Sequence, residues 1–422
     1  MKSKQKNTPV THSFAAPKNG IQVRKGGLAR NNASAPFKPT TVAGVMSGTS
    51  ADGIDVALVR ISSKKIVLLA HSSFPFDKKT KAAILAAMDA RSTSTADLAR
   101  LHWRLGELYG DAIVSTQKQH RIQAQLAGVH GQTIYHQATT ETFLGTPLRC
   151  TMQIGESAEV ATRTGLPIVS DFRTSDVAVG GQGAPLVPIF DRAVFAHKKH
   201  NRILQNLGGI ANLTALPASS DTTLAFDSGP ANMLIDANMQ RLFQRAYDRN
   251  GATAARGLPN QAIVDTLLRE PYFSLHPPKS CGREEFGEAY VTRFLTLCKK
   301  KKLSSTDIIA TATLLTSQSI LHAYKIFVWH FLGQNAPLAI ATDYIVAGGG
   351  AYNRTLMQQL RNGLTPLGIT VSTTDDHGIP SQAKEAMAFA YLAWLRWHQL
   401  PGNLPAATGA TRPMMLGKVT LA

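Results

Sequence analysis

The feature that most constrains this chain is a pattern that occurs twice. A short apolar run meets a loop of glycine and small polar residues, and a second apolar run follows at once. The first copy comprises residues 42–45, the loop 46–53 (MSGTSADG) and residues 54–61; the second comprises 203–207, Gly208-Gly209 and 210–216. Runs of this length, rich in Val, Ile and Leu and bounded by Gly and polar residues, read as strands joined in hairpins. Further strands are expected at 66–70, 126–129, 166–170 and 344–347, and helices at 78–90, 96–117, 152–164, 307–332 and 384–398. Strands that alternate with helices in this way indicate α/β architecture. A chain of 422 residues exceeds one comfortable core,. The layout therefore suggests a duplicated pair of sheet domains whose hairpins face a cleft.

Composition excludes several classes of function. With 44% hydrophobic and 17% charged residues the chain is globular. No stretch approaches the ~18 apolar residues that span a membrane. Cys150, Cys281 and Cys298 are odd in number and far apart, so they suggest neither a disulfide framework nor structural zinc, and reducing cytoplasm fits best,. The net charge of +18 points to nucleic acid at first sight. Eight of those charges lie in residues 1–40, on Lys2, Lys4, Lys6, Lys18, Arg24, Lys25, Arg30 and Lys38, with no acid among them. That tail is expected to be disordered: an over-extended start or an idle solvated segment, with no apolar core of a secretory signal. Nucleic-acid binding is disfavoured accordingly. The basic body suits an anionic ligand.

Several loops carry chemistry-bearing residues, each with a bland alternative. Ser47 to Gly53 offers glycines for close backbone approach and hydroxyls and N–H groups as donors to a phosphate. Asp52 and Asp55 within it suit a magnesium-bound water. The same residues also make an ordinary hairpin turn. The loop is not a Walker A motif, since no lysine follows its glycine and a strand comes next. Asn206 to Asn212 is a second phosphate cradle or a plain tight turn. Gly348-Gly349-Gly350, between a buried strand and a helix, suits close approach of a flat or phosphorylated ligand. Asp171, Asp176 and Asp227 are candidate bases at strand ends; a helix cap for Asp227 and solvated loop acids paired with Arg173 for the others are the alternatives. His130 and His136 lack the further ligands of a metal site. The segment 180–188 is too rich in Gly and Pro for regular structure and reads as a hinge or site wall, and Arg283-Glu284-Glu285 reads as a surface salt-bridge loop,.

Taken together, these segments resemble the anhydro-N-acetylmuramic acid kinase family, within the sugar-kinase, heat-shock-chaperone and actin superfamily. The matching blocks stand in family order: GVMSGTSADGIDVA at 44–57, HGQT at 130–133, DFR at 171–173, GGQGAPLVP at 180–188, NLGGIANL at 206–213 and DSGPAN at 227–232. PKSCGRE at 278–284, GGG at 348–350, EAMAFA at 385–390, PGNLP at 401–405 and TGA at 408–410 complete the run.

The resemblance implies two ribonuclease-H-like (actin-like ATPase) domains flanking an active-site cleft. One would comprise 41–165 with a returning segment 386–422, the other 166–385. It implies an ATP-dependent kinase acting with Mg2+ on 1,6-anhydro-N-acetylmuramic acid in cell-wall recycling. Water opens the anhydro bridge at C1, and O6 receives the γ-phosphoryl group. ATP would be held by Gly48, Thr49, Ser50, Ala51, Asp52, Gly53, Ile54 and Asp55, by Asn206, Gly208, Gly209 and Asn212, and by Gly348, Gly349 and Gly350, with Asp52 at the metal. The base would be Asp227, with Asp171 second. His130, Gln132, Thr133, Arg173, Asn232 and Glu385 would contact the sugar. The expected partners are thus the anhydro amino sugar and ATP, without a membrane, and a homodimer is compatible with the reading. Two departures stand out: Ala231 where the family has glycine, and Cys281 where it has threonine. A kinase for another sugar and a nucleotide-gated binding protein of the actin or chaperone type are the alternatives.

Overall fold

The structure is a computed structural model that describes residues 21–22, 37–48, 50–88, 93–218, 220–333 and 340–422. The chain divides into two compact units, one taking the chain up to Val194 with Ala383–Pro405 and Ala410–Ala422, the other Phe195–Gln382 with Ala406–Gly409.

The first unit contains β1 (Ile21–Gln22), β2 (Thr40–Met46), β3 (Gly53–Ile61), β4 (Lys65–Pro75), β5 (Leu126–Val129), β6 (Gln132–Phe143), β7 (Thr146–Ile154) and β8 (Ile168–Ser170). The second contains β9 (Asn201–Leu207), β10 (Ile210–Leu216), β11 (Leu224–Pro230), β12 (Thr342–Ala347) and β13 (Ile369–Thr373). Strand β14 (Lys418–Thr420) returns to the first.

The large sheet of the first unit runs β1-β4-β3-β2-β5-β8-β14 and that of the second β11-β10-β9-β12-β13. Setting aside the short edge strands β1 and β14, both have the order third, second, first, fourth, fifth. In both, the first three strands form an antiparallel meander and the last two run parallel to the first. This is the ribonuclease-H-like topology, present twice, and each hairpin of the repeated sequence pattern forms the first two strands of its sheet.

In the first unit the helix Lys384–Trp397 is buried on nearly every side, as expected of a helix apolar all round. It lies close over β2 and β5 because glycines face it. A Cβ on Gly44 would stand 1.9 Å from the Ala386 carbonyl oxygen, and one on Gly128 would stand 2.4 Å from that of Phe389. In the second unit the helix Ser305–Ala323 starts at a capping box of Ser304 and Asp307,. It continues through a π-helical turn, Tyr324–Val328, to Phe331, close to the expected span.

Four expectations are corrected. The boundary at 165/166 lies instead at 194/195, because β8 hydrogen-bonds to β5 as the inner fifth strand of the first sheet. The returning segment begins at Ala383, and Ala406–Gly409 belong to the second unit. Residues 152–164 are not one helix: β6 and β7 form a separate hairpin through Leu144 and Gly145, both at positive φ (50° and 79°), and the helix covers only Ser157–Thr164. Thr146, Thr151 and Ile154 are β-branched, which favours the strand. The tail is not wholly without structure either, since Ile21 and Gln22 pair with Ile66 and Lys65. The rest of its expected disorder, residues 1–20 and 23–36, lies outside the described residues.

Candidate active site

Each unit carries its own set of the expected residues. In the first unit the loop between β2 and β3 is braced from below by Gln132. Its carbonyl accepts from Ser47 Oγ at 2.6 Å, and its amide nitrogen donates to the carbonyls of Gly48 at 3.1 Å and Thr133 at 3.4 Å. Gln132 is fully buried. Both ends of its amide thus support the loop. Ala51 turns the loop at φ 52° and donates its N–H to the Gly48 carbonyl. Ser50 is exposed, Ile54 is buried, and Gly53 opens β3. Thr49 lies outside the described residues. Asp52 is 69% exposed and pairs with Lys81. Asp55 accepts from Ser73 Oγ and lies 3.3 Å from His71 Nε2.

Beside this loop stands a polar group built on Arg173. Its Nε and Nη2 approach His130 Nε2 at 3.1 and 2.9 Å, and its Nη1 donates to the Gly183 carbonyl at 2.7 Å. His130 therefore accepts at Nε2 and carries its proton on Nδ1. Burial and then the Arg173 charge hold its pKa well below the ordinary value, so the ring is neutral,. The same two causes hold His136 at about 4. Thr133 accepts from Gln153 Nε2 at 3.2 Å. The Glu385 carboxyl is raised, chiefly by burial and further by Asp55, against the opposing charges of Lys384 and Arg173.

Two of the three acids are engaged structurally. Asp176, fully buried, accepts from the Gly183 N–H at 2.8 Å and from Asn403 Nδ2 at 2.6 Å, which ties down the Gly-rich segment 180–188. Asp171 sits at φ 55° with Oδ2 2.6 Å from Lys418 Nζ on β14.

In the second unit the Asn206–Asn212 hairpin and the triple glycine come together. Gly348, at φ 83°, would place a Cβ 2.7 Å from Asn206 Oδ1 and 2.8 Å from the Leu207 carbonyl oxygen. Only glycine allows that approach. Gln205, fully buried, donates from Nε2 to the carbonyls of Asn206 at 3.2 Å and Asn212 at 2.9 Å, and Tyr344 donates its hydroxyl to Gln205 Oε1 at 2.7 Å. The backbone N–H groups of Ala231 and Asn232 donate to the Gly209 and Gly208 carbonyls, both at 3.0 Å. Asn232 Nδ2 donates to the Leu207 carbonyl at 2.9 Å. The donor of Asn232 thus supports the hairpin. Ala231 replaces the family glycine at φ −122°, which an L-residue adopts without left-handed strain, and is buried.

Asp227 lies within β11, opposite Asn212 at a bulge, and the helix begins only at Asn232. The reading of Asp227 as a helix cap is therefore set aside. Its Oδ2 accepts from the Cys281 N–H at 2.9 Å, its own N–H donates to the Lys279 carbonyl at 3.1 Å, and its carbonyl accepts from the Tyr272 hydroxyl at 2.7 Å. The Cys281 N–H fixes the orientation of the carboxylate. Cys281 makes this contact through its backbone, so the exchange of threonine for cysteine leaves it intact. Arg283, Glu284 and Glu285 are exposed, and Glu285 accepts from the Gly282 N–H at 3.2 Å. The roles of Tyr344 and Tyr272 have no signal in the sequence, because their partners Gln205 and Asp227 are distant in the chain; Gln205 and Lys279 grip nearby backbone carbonyls that no local pattern marks.

The paired topologies and the glycine-rich hairpins define a protein of the actin-like ATPase class. The family model for anhydro-N-acetylmuramic acid kinase matches residues 40–422. A Bacillus cereus (strain G9842) protein of that name is 42% identical over 388 residues, covering 90% of this chain and 98% of its own. One from Bacillus thuringiensis subsp. konkukian (strain 97-27) is 41% identical over the same length and coverage. The chain belongs to the anhydro-N-acetylmuramic acid kinase family. No helix among the described residues is long and apolar enough to cross a membrane.

Proposed function

We propose that this protein is an ATP-dependent kinase for 1,6-anhydro-N-acetylmuramic acid, forming N-acetylmuramic acid 6-phosphate and ADP in cell-wall recycling. The observation that carries this is the family match, which runs unbroken over 40–422 and includes every loop described above. Asp227 is the base: oriented by the Cys281 N–H, it removes a proton from water as that water attacks C1,. The C1–O6 bond breaks, and the freed O6 attacks the γ-phosphorus as ADP departs. Asp171 is the weaker candidate because Lys418 occupies its carboxylate.

His130, Thr133, Arg173 and Glu385 orient the sugar. The guanidinium, with a neutral imidazole on one side and the Gly183 carbonyl on the other, suits an anionic or polar group of the substrate,. Gly48–Asp55 and Asn206–Asn212 hold the phosphates, and Gly348–Gly350 receive the adenosine.

Among the described residues no group of three or more His, Cys, Asp or Glu could hold a metal. Magnesium that arrives with ATP needs only one or two carboxylates besides the phosphates. The exposed Asp52 fits, with Asp55 near it in sequence. Magnesium bound in that way supplies charge neutralisation for phosphoryl transfer. The free cysteines Cys150, Cys281 and Cys298 and the use of ATP support a cytoplasmic location for this enzyme,.

The test is incubation with ATP, magnesium and the anhydro sugar in oxygen-18 water. The label should appear at C1 of the sugar phosphate. ADP without sugar phosphate would favour a nucleotide-gated binding protein, and turnover of another sugar instead would change the substrate. Asp227→Asn should lower kcat by about 10²–10⁴-fold while ATP still binds. Turnover near that of the wild type would move the base elsewhere.

A further inference from the structure

Lys279 lies in the loop that supports Asp227, and its ammonium is buried. It stands 4.7 Å from the ring centre of Tyr272, 4.9 Å from that of Phe327 and 5.6 Å from that of Phe226. Nζ donates to the Tyr272 carbonyl at 3.0 Å and reaches the Phe273 carbonyl at 3.5 Å. A lysine in such surroundings is costly, because an ammonium leaves water for rings and carbonyls. A purely apolar side chain would fill the same space at less cost. The lysine therefore calls for a reason beyond packing.

The connectivity supplies one. The Lys279 carbonyl accepts from the Asp227 N–H, two residues on Cys281 donates its N–H to Asp227 Oδ2, and the Tyr272 hydroxyl donates to the Asp227 carbonyl. Tyr272 is in turn the residue whose carbonyl the ammonium grips. Asp227 is thus held on three atoms by two segments, and Lys279 ties those segments to each other.

We propose that Lys279 is a positioning residue for Asp227: its caged ammonium locks the 279–281 turn onto Tyr272 and supplies the positive charge that favours the Asp227 carboxylate. The inference rests on the proposed role of Asp227. The groups that face the ammonium are Tyr272, Asp227 and Cys281 in this layer, His322 on the helix Ser305–Ala323, and His276 through the shared Phe327 ring. Burial lowers the Lys279 pKa to about 8, against the opposing charge of Asp227; burial pushes the Cys281 thiol well above its ordinary value, so it is neutral in this range. The His322 pKa is lowered by burial and by Lys279, so that ring adds no competing charge at neutral pH. The ammonium loses its proton as pH rises through about 8, and its influence on Asp227 is lost with it.

Lys279→Met fills the cage without charge or donor. We expect kcat to fall about tenfold or more with the KM for ATP within about twofold, and the acid limb of the kcat profile to move up by about 0.5 pH unit or more, since loss of a nearby cation raises a carboxyl pKa. The carboxyl carbon of Asp227, labelled with carbon-13 and assigned by its absence in Asp227→Asn, should titrate higher in Lys279→Met. In the wild type it should show a second small step near pH 8, where Lys279 titrates. The wild-type measurement needs no variant that folds. If the step is missing, or the carboxyl titrates identically in both proteins, the proposal is wrong. That readout does not depend on the sugar: a protein that fails to phosphorylate the anhydro sugar but shows both titration effects refutes the substrate and keeps the positioning.

Discussion

Gly348→Ala tests whether the triple glycine and the second hairpin form one nucleotide-binding surface. Gly348 has φ 83° and ψ 176°, a region that side chains other than glycine enter at a cost of about 1–3 kcal/mol. The new methyl would also stand 2.7 Å from Asn206 Oδ1, 2.8 Å from the Leu207 carbonyl oxygen and 2.9 Å from the Leu207 carbonyl carbon. Two of those three atoms are backbone, and Gln205 fixes the adjacent Asn206 carbonyl, so they cannot swing aside. Forced overpacking of this kind costs about 1–3 kcal/mol more. The total, about 2–6 kcal/mol, must appear as lost stability or as a displaced loop. A displacement would weaken ATP tenfold for each ~1.4 kcal/mol withheld from binding. Gly368→Ala is the control, since Gly368 has φ 75° but nothing within 4 Å of a new Cβ, and should cost only about 1–2 kcal/mol with the KM for ATP unchanged. The assay pairs urea unfolding with the KM for ATP in both variants. If Gly348→Ala matches Gly368→Ala in both measurements, the close contact with the hairpin carries no weight and the reasoning fails.

Two further predictions concern the first unit. Lys384 and Asp191 form a pair at 2.8 Å with side chains only 2% and 3% exposed, so Lys384→Met should destabilise by about 3–5 kcal/mol, and adding Asp191→Leu should recover most of it; urea midpoints of the single and double variants check this, and a double variant no better than the single would refute it. His136 has its pKa lowered from 6.5 to about 4 by burial and by Arg173. The unfolded chain then binds the extra proton first, so stability present above 6.5 is lost as pH falls toward 4, about 2 kcal/mol of it between pH 7 and pH 5. His136→Asn should flatten that part of the urea-midpoint profile, and an unchanged slope would count against it.

Much of this architecture was legible in the sequence because it depends on local patterns. The two hairpins announce themselves through apolar runs on either side of Gly-rich loops, and each proves to be the first two strands of its sheet. The helix at 384–397 is equally plain from its continuous apolar composition. What was hidden depends on contacts distant in the chain. Nothing near residue 168 tells that β8 joins the first sheet, since its partner β5 lies beyond the β6–β7 hairpin and a helix. The β6–β7 hairpin was obscured because Leu144-Gly145 is not one of the common turn pairs, although both residues adopt positive φ,. The family resemblance implies sugar contacts for Gln132 and Asn232, but no local pattern marks what else their amides hold. Only the fold reveals that Ser47, Gly48 and Leu207 occupy them.

That outcome bears on how the site is constructed. Each loop proposed to meet phosphate rests on a buried amide that serves its backbone: Gln132 under the first loop and Gln205 under the second. Both side chains are fully buried, and a glutamine amide can satisfy a hydroxyl and carbonyls together while carrying no charge. A buried lysine or aspartate could also grip a loop, but it would impose a fixed charge under a surface that must receive the negative charge of ATP and release ADP. Neutral amides avoid that conflict. The charged devices stand elsewhere, with Arg173 beside the neutral His130 and Lys279 behind Asp227. Both of those places call for charge, the first to orient a polar substrate and the second to keep a base ionised. The departures fit the same division: Ala231 and Cys281 act through backbone N–H groups that any residue but proline supplies, so neither alters the charges on which the proposed chemistry depends.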